Sequence, residues 1–418
     1  MRILMISKEG DGCGLAYRLD QEGHTVDLWI KNQEYKDALR GFVNRIDSWR
    51  PSLAKADLVI CDAVGFSQYE EIFQRMGKPY LCCSPIADIL ELDRERGMQA
   101  FTRLGIGIPE TSYFNSPEEA ASLEWESDDG YVIKPAGNVD VGKTYIVPNR
   151  QLYDWALSTY VKGQKLIVQR RVMDAIEVST EGWFNGRDWV EPFNHTFEEK
   201  RHMVGDVGKM TGCMGNVVLP LTKADHLVKE TVMKFEPILR KASYKGPIDI
   251  NCLVQKDRLY ALELTCRLGF DAFEALMTGL TEPVGSMLFE VATGIKKRIE
   301  MRTDFLISVR VCRDPYPVGY SSMLGKDNDR GMPITGLSEK DMPFVYLCDV
   351  YTEDGILKFS AGDGVILKAT AFGRSVKEAQ HRAYRVVKNV QAIDIQYRTD
   401  IGNRVESDMN TLREWGWI

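Results

Sequence analysis

The chain has 418 residues, of which 44% are hydrophobic and 27% charged, and its 60 acidic and 53 basic residues give a formal net charge of −7. This balance is typical of folded proteins and excludes collagen-like, low-complexity and disordered chains. A mildly acidic chain without a long Lys/Arg run lacks the charge signature of nucleic-acid or anionic-membrane binding, and no apolar run approaches the roughly 18 residues of a membrane span.

The start of the chain and its cysteines indicate a cytoplasmic protein. The apolar run from Arg2 to Ser7 is followed at once by charged Lys8 and Glu9, which favours a buried strand over a signal peptide. The nine cysteines include no C-x-x-C pair, and none of the five histidines has H-E-x-x-H spacing. Zinc hydrolase chemistry is therefore disfavoured, while a lone cysteine nucleophile stays open.

The first 93 residues predict a parallel α/β domain, because β-branched runs alternate with helical stretches at crossover spacing. The segment from Ser7 to Gly14 brings three glycines to a helix N-terminus, where backbone N–H groups favour an anionic ligand. A simple tight turn is the alternative. The predicted elements are strands at 2–7, 25–30, 57–61 and 79–83 and helices at 14–22 and 69–76.

The region from 94 to 300 predicts mostly strands. Ser116 and Pro117 begin a short helix, and Asn185 to Asp188 form a hairpin turn. Thr222 to Asp225 cap a long amphipathic helix that extends through Leu239. The predicted strands are 131–135, 166–169, 177–184, 248–254 and 259–264.

The region from 301 to 418 predicts an α+β domain. Strands are expected at 305–311 and 365–369, and Ser375 and Glu378 cap a helix whose apolar residues share one face. The sequence contains no internal repeat.

Two carboxylates mark a candidate metal site. Asp249 and Glu263 lie on strands joined by a short polar turn, so an antiparallel hairpin brings them side by side. Two such groups near one point are stable together when a divalent cation neutralises their repulsion. A solvated or ion-paired carboxylate pair is the alternative.

A lysine and a glycine loop mark a candidate phosphate site. Lys134 ends an apolar strand and is followed by Gly137, Gly142 and Lys143, a loop able to close over phosphates. Glu177 follows a short connector, where its carboxylate accepts hydrogen bonds from ribose hydroxyls. Lone strand lysines are usually surface residues, which is the alternative here.

This order of a strand lysine, a glycine loop, a hinge glutamate and two late carboxylate strands resembles the ATP-grasp fold. Further motifs resemble the phosphoribosylamine-glycine ligase family within it. The segment from Gly205 to Gly215 is similar to the family's G-D-x-G-x-x-T-G-G-M-G loop, with Cys213 replacing a glycine, and Lys200 lies where the family has a basic pair. Residues 379–384 and 398–402 match the family's A-Q-x-x-A-Y and R-x-D-I-G.

The resemblance implies an α/β fold: an ATP-grasp domain at 94–300 with a mobile lid at about 111–172, an amino-terminal parallel-sheet (pre-ATP-grasp) domain at 1–93 and a carboxyl-terminal α+β domain at 301–418. It also implies the site residues. The expected catalytic residues are Arg267, Lys134 and Asp206. The expected nucleotide-binding residues are Lys134, Gly137, Gly142, Lys143, Arg171, Glu177 and Lys200; the substrate-binding residues are Gly10, Gly12, Asp206, Thr211, Gly212, Met214, Gly215 and Asp271; and the metal ligands are Asp249, Glu263 and Thr265.

The chain departs from the family mainly where the amine substrate is expected. The family's first loop, G-G-R-E-H-A, is here the stretch from Gly10 to Gly14, without the Arg, Glu and His, and the family's G-P-E becomes Ala63-Val64-Gly65. Thr265 replaces a metal-binding asparagine, a substitution that weakens one metal contact. The family's first nucleotide lysine has only Arg94 or Arg96 as its counterpart.

The resemblance implies a ligase of purine biosynthesis that uses ATP and Mg²⁺, or Mn²⁺. ATP phosphorylates the carboxylate of glycine or another small amino acid, and an amine then forms the amide as ADP and phosphate leave. The expected partners are small molecules, phosphoribosylamine among them, with no nucleic acid and no membrane, and the expected state is a monomer or homodimer. Two alternatives stay open: the same chemistry with a different amine or acid in a specialised pathway, and an inert nucleotide-binding homologue.

Overall fold

The structure is a computed structural model that describes residues 1–137, 144–317 and 329–418. Two residues of the predicted glycine loop, Gly142 and Lys143, lie outside the described residues. None of the helices in the described part of the chain has the length and apolarity needed to cross a lipid bilayer.

The amino-terminal region forms a five-stranded parallel sheet, which confirms the alternating pattern read from the sequence. Its elements are β1 (Arg2–Ser7), α1 (Cys13–Gln21), β2 (Thr25–Ile30), β3 (Asn44–Arg45), α2 (Arg50–Leu53), β4 (Leu58–Cys61), α3 (Glu70–Arg75) and β5 (Tyr80–Leu81). The strand order is β3-β2-β1-β4-β5. Residues 3–6 of β1 are fully buried on both faces, which explains a continuous apolar run in place of alternation.

A smaller antiparallel sheet follows, in the order β6-β9-β7-β8 of its strands β6 (Thr111–Phe114), β7 (Tyr131–Pro135), β8 (Tyr145–Val147) and β9 (Leu166–Arg170). Its own core surrounds Ile133, Tyr153 and Leu166. The Ser116 hydroxyl accepts a hydrogen bond from the Glu119 N–H at 3.2 Å, so Ser116 caps the short helix that the sequence predicts to begin there. The helices of this part of the chain are α4 (Pro85–Leu92), α5 (Arg94–Arg103), α6 (Pro117–Ala120) and α7 (Arg150–Ser158).

The largest element is an eight-stranded antiparallel sheet. Its strands are β10 (Ile176–Asn185), β11 (Trp189–Met203), β12 (Val207–Pro220), β13 (Lys245–Val254), β14 (Leu259–Thr265), β15 (Phe305–Cys312), β16 (Val345–Leu347) and β19 (Val365–Gly373); β17 (Val350–Glu353) and β18 (Ile356–Phe359) form a separate hairpin. The order is β14-β13-β10-β11-β12-β15-β19-β16. Strand β15 pairs with β12 on one side and β19 on the other, so the last third of the chain continues the sheet of the middle third.

The long helix predicted after Asp225 is wrong in its length. Asp225 does cap a helix by accepting from the Val228 N–H at 3.0 Å, but that helix stops at Glu230. A second helix begins at Glu236 with Pro237 in its first turn. Proline lacks an N–H group, so it is tolerated in the first turn of a helix but disrupts the interior of a longer one. The remaining helices are α8 (His226–Glu230), α9 (Glu236–Ala242), α10 (Ala272–Gly279), α11 (Val284–Ala292), α12 (Val376–Asn389) and α13 (Val405–Glu414).

The glycine-rich motif from 205 to 215, predicted as a loop, is a strand from Val207 onward. It pairs with β11 and, from Gly215, with β15. A Cβ at Gly215 would lie 2.6 Å from the Ser308 carbonyl oxygen, and the residue has φ +146°, so glycine allows the close approach of β15. The glycines therefore serve strand packing at this end of the motif.

Candidate active site

A cavity of about 420 Å³ lies where the small sheet faces one side of the large sheet. Its wall is built from alternate residues of adjacent strands, because side chains of an antiparallel sheet point to one face at every second position. In one cross-strand row, Thr265 pairs with Asp249 and Asp249 with Glu181; in the next, Glu263 pairs with Asn251 and Asn251 with Ser179. All six of these residues line the cavity.

The opposite wall carries positive charge. Lys134, partly buried on β7, lines the cavity, and burial lowers its pKa to about 8, with Arg94 and Lys200 acting in the same direction. Arg94 also lines the cavity and donates a hydrogen bond to the Pro135 carbonyl at 2.8 Å. Arg96 instead pairs with Asp93 on the surface, its side chain 61% exposed. Of the two arginines that the sequence left open, the structure brings Arg94 to the cavity.

Lys200 joins three carboxylates within the cavity wall. Its ammonium lies 3.2 Å from both Glu177 and Glu263 and 3.6 Å from Glu198. Lys200 is the main cause that lowers the pKa of Glu263 to about 2. Burial alone would lower the pKa of Lys200, but the three carboxylates raise it well above its ordinary value. The ammonium and Glu263 are therefore both charged at neutral pH.

Arg267 is held at the cavity edge by two contacts. Its Nε donates to Glu91 at 2.8 Å, and its guanidinium carbon lies 4.0 Å from the centre of the Phe270 ring. Glu91 also accepts from the Cys266 N–H at 2.7 Å, so the carboxylate is itself fixed. These contacts fix a permanently charged guanidinium in the cavity lining.

The predicted metal ligands share one face, and their donors suit a hard cation. Asp249, Glu263 and Thr265 supply carboxylate and hydroxyl oxygens, and the buried Asn251 adds a carbonyl oxygen that has no hydrogen-bond partner among the described residues. Burial, followed by the neighbouring Glu181 and Glu198, raises the pKa of Asp249 well above its usual range. Oxygen ligands of this kind fit Mg²⁺, which one or two carboxylates and substrate phosphates commonly hold. Among the described residues, no three His, Cys, Asp or Glu side chains group as a metal cluster, so the protein offers a partial coordination sphere.

Ten of the predicted site residues lie together in the cavity wall; the described remainder do not line it. Those in the wall are Lys134, Arg171, Glu177, Lys200, Thr211, Gly212, Asp249, Glu263, Thr265 and Arg267. Gly137 follows β7 with φ +91° and lies outside the wall. Met214 is fully buried in the core, and Gly215 packs against β15.

Asp206 and Asp271 are both occupied by ion pairs elsewhere. Asp206 lies in the β11–β12 hairpin turn, 63% exposed, and pairs with Arg398 at 2.9 Å. Asp271 is fully buried, accepts two hydrogen bonds from Arg310 at 2.7 and 3.0 Å and lies 3.3 Å from Lys368. Because these partners satisfy them, the structure gives neither residue a place in the cavity.

The glycine turn near the amino terminus is already occupied by a protein carboxylate. The Gly12 N–H donates to Asp62 Oδ2 at 2.7 Å, the Lys8 N–H to Asp62 Oδ1 at 3.3 Å, and the Gly10 N–H to the Ser7 hydroxyl. The turn therefore forms the N-terminus of α1 as predicted, but its donors bind Asp62. Gly10 and Gly12 line two small crevices between this turn and the carboxyl-terminal region.

The polar cavity residues that sequence reasoning missed include Glu181, Glu198 and Asn251. The signal was present, because Glu181 follows Glu177 and Ser179 at alternate positions of β10, and Asn251 follows Asp249 on β13. Polar side chains at every second position of an otherwise apolar strand mark a ligand-facing side of a sheet.

Comparison with known proteins agrees with this architecture. A phosphoribosylamine–glycine ligase of Streptomyces coelicolor is 26% identical over 393 residues, covering 83% of this chain and 89% of the relative. The structure of a phosphoribosylamine–glycine ligase from Thermotoga maritima superposes with a TM-score of 0.76 at 21% identity, covering 96% of this chain and all of that one. A biotin carboxylase–β,γ-ATP complex from Campylobacter jejuni superposes with a TM-score of 0.65 at 14% identity, covering 98% and 96%. No protein-family profile matches the chain.

These likenesses give the chain the ATP-grasp fold, with a parallel amino-terminal sheet and a large antiparallel sheet, as the motifs predicted. Within that fold, the chain is a relative of the phosphoribosylamine–glycine ligases, and the resemblance stated from its sequence is confirmed.

Proposed function

We propose that the protein is an ATP-dependent carboxylate–amine ligase that activates glycine or another small amino acid. The observation that supports this most directly is the cavity whose lining brings Lys134 and Arg267 together with Asp249 and Glu263. A site that contains both cations and carboxylates suits a nucleoside triphosphate and a hard metal ion. The relatives named as ligases support the same activity.

The reaction has two steps. A carboxylate oxygen of the amino acid attacks the γ-phosphorus of ATP, and ADP leaves, so an acyl phosphate forms. The neutral nitrogen of the amine then attacks the acyl carbon, phosphate leaves and the nitrogen loses a proton, so an amide forms. Positioning and electrostatic stabilisation carry phosphoryl transfer, and little side-chain acid–base chemistry is required.

In this proposal, four predicted residues of the cavity bind or position the nucleotide and the acid. Lys134 binds nucleotide phosphate oxygens, and Arg267, fixed by Glu91, binds the carboxylate or the phosphoryl group. Glu177 accepts hydrogen bonds from the ribose. Lys200 holds Glu177 and Glu263 in place.

Asp249, Glu263 and Thr265 would hold Mg²⁺ or Mn²⁺. The metal, when bound, would supply neutralisation of charge on the phosphoryl group during its transfer. The protein contributes carboxylate and hydroxyl oxygens from two adjacent cross-strand rows of the large sheet.

The crevice beside the amino-terminal turn favours an amine acceptor without a phosphate group. The crevice is lined by Glu9, Asp11, Asp349 and Asp363. Its two cationic lining residues, Arg310 and Lys368, are already ion-paired with Asp271, and Lys368 also with Glu274 at 2.7 Å. With Asp62 on the Gly12 N–H as well, the described residues here offer a phosphate little positive charge. This observation supports the second candidate, the same ligase chemistry with an acceptor other than phosphoribosylamine.

ADP release tests both candidates. The purified protein, with Mg·ATP and glycine, is assayed with phosphoribosylamine generated in place and, separately, with phosphate-free amines. Turnover that responds to phosphoribosylamine supports the familiar reaction, whereas glycine-dependent turnover that responds only to another amine supports the second candidate. ATP binding without ADP release under any condition would refute the ligase proposal and favour an inert nucleotide-binding protein.

A further inference from the structure

Glu181 is a buried carboxylate of the cavity wall that the proposed phosphoryl transfer does not use. It lies on β10 and is 3% exposed. Trp183 Nε1 and Asn194 Nδ2 donate to the same oxygen, Oε1, at 3.2 and 3.1 Å. Oε2 accepts no hydrogen bond from the described residues, and it lies 3.7 Å from the point that a Cβ would occupy on Gly269. The side chain is thus held by one oxygen and presents the other to the cavity.

The surroundings of Glu181 are short of positive charge. Glu177, Glu198 and Glu263 share Lys200, whereas Glu181 has no ion pair with any described basic residue. Asp249 is its direct cross-strand neighbour and adds a second negative charge. Burial raises the pKa of Glu181 to about 7, which agrees with the absence of a neutralising partner.

A separate observation indicates that hydrogen-bond donors are missing at the same place. Asn251 lies two residues from Asp249 on the same face, is 3% exposed and lines the cavity. Its Nδ2 donates to the Ser179 hydroxyl at 3.2 Å, but its Oδ1 is buried without a partner among the described residues. A buried acceptor of this kind is costly unless a ligand supplies a donor.

We propose that Glu181 is a specificity-determining residue that binds the α-ammonium group of the amino acid substrate. This inference rests on the ligase function proposed above and names the class of acid that the cavity accepts. An ammonium group carries one positive charge and three N–H donors, and it suits a carboxylate oxygen beside a carbonyl oxygen.

Arg267 provides the complementary charge. Gly269, the neighbour of Glu181 Oε2, is only two residues after Arg267. The short segment from Arg267 to Gly269 therefore brings the Arg267 guanidinium to the same part of the cavity as the Glu181 carboxylate. An α-amino acid has its carboxylate and its ammonium on adjacent atoms. With the carboxylate at Arg267 and the ammonium at Glu181, the acid is oriented and a simple carboxylic acid is disfavoured.

Substrate discrimination in the Glu181→Gln variant tests this inference. ADP release is measured with Mg·ATP for three pairs: glycine and glycolate, L-alanine and L-lactate, and L-serine and L-glycerate. Each pair exchanges the ammonium for a hydroxyl. In the wild type, kcat/KM is expected to favour the amino acid, and E181Q is expected to reduce that preference about 10- to 100-fold by raising the KM for the amino acid. Glutamine still accepts from Trp183 and Asn194, so the wall keeps its structure, and a ratio within one variant does not depend on its folded fraction.

Glu177→Gln is the matched control, since Glu177 is a carboxylate of the same wall that pairs with Lys200. E177Q is expected to raise the KM for ATP and to leave the amino acid preference unchanged. An E181Q enzyme that keeps the wild-type preference, or that changes only the KM for the amine acceptor, would overturn the inference.

The failure of the ligase proposal would show differently, as no ADP release by the wild type with any of the six acids. Calorimetric binding of glycine and glycolate to the full chain then decides the role of Glu181. Tighter binding of glycine that E181Q abolishes supports the inference, and equal binding of the two acids by the wild type overturns it.

Discussion

Replacing Lys200 with methionine removes the one cation shared by Glu177, Glu198 and Glu263, while keeping most of the apolar stem. The charge of this group of four changes from −2, three carboxylates and one ammonium, to −3. Loss of one partner from a buried ion pair costs about 3–5 kcal/mol. Because the Glu263 side chain is 46% exposed, solvent screens part of the repulsion, and we expect about 3 kcal/mol.

The expected change in melting temperature follows from the size of the chain. An unfolding entropy of about 2.1 cal/mol/K per residue gives about 0.9 kcal/mol/K for a protein of this length, so 3 kcal/mol corresponds to about 3 °C. Differential scanning fluorimetry of K200M at pH 7.5 measures this shift. The difference in melting temperature between the wild type and K200M should become smaller toward pH 5. Without Lys200 the three carboxylates take up protons more readily, so their mutual repulsion falls.

Arg298→Met is the control for removal of a cation. Arg298 pairs with Glu191 at 2.8 Å, but both side chains are more than half exposed, so the melting temperature should change by less than about 1 °C. A K200M melting temperature equal to that of the wild type, at all pH values from 5 to 7.5, would refute the reasoning that Lys200 holds the three carboxylates together.

Three further predictions concern the cavity and its surroundings. Glu263→Ala should abolish ADP formation and leave the circular dichroism spectrum unchanged. Normal turnover of this variant would show that Glu263 is not a ligand of the metal. For Lys134, whose pKa is about 8, kcat/KM for ATP should fall as the pH rises through that value because the ammonium loses its proton; Lys134→Arg should remove the fall, and a flat wild-type profile would contradict a phosphate role. Asp271→Asn removes the negative charge that pairs with the buried Arg310, so the free energy of unfolding in urea should fall by about 3 kcal/mol. The KM for the amino acid should change little; a large increase in this KM in a stable variant would show that Asp271 binds the substrate.

The sequence predicted the parallel amino-terminal sheet, most strands of the large sheet and the ATP-grasp resemblance, because these depend on local periodicity and on motifs. The carboxylates of Asp249 and Glu263 were expected side by side, yet the register places Asn251 opposite Glu263. A β-bulge between residues 251 and 252 shifts the pairing by one residue, so Glu263 faces the same side of the sheet as Asp249 but lies one cross-strand row away. The polar turn that joins the two strands does not reveal this bulge in the sequence.

The remaining differences between the predicted and the observed site arise because other side chains of the protein already bind the groups that were predicted to bind a ligand. Asp206 matched the family's glycine-rich motif and Asp271 was expected to bind substrate, but Arg398 and Arg310, more distant in sequence, bind them. Within the Gly10–Gly14 turn, whose N–H groups were expected to favour a ligand, the Gly12 N–H donates to Asp62, about fifty residues later. A linear pattern identifies groups able to bind, whereas only the folded chain shows which of them another side chain has already satisfied.

The unbroken large sheet has a practical consequence for dissecting the protein. A fragment that ends near residue 300 would lack β15. The edge of β12 that now pairs with β15, including the apolar residues Val217 and Val218, would then carry unpaired backbone hydrogen-bonding groups. Open strand edges of this kind recruit other chains and aggregate. Recombinant work on the cavity therefore requires the intact polypeptide, and gene fusions or permutations will be tolerated better at surface turns than between these two strands.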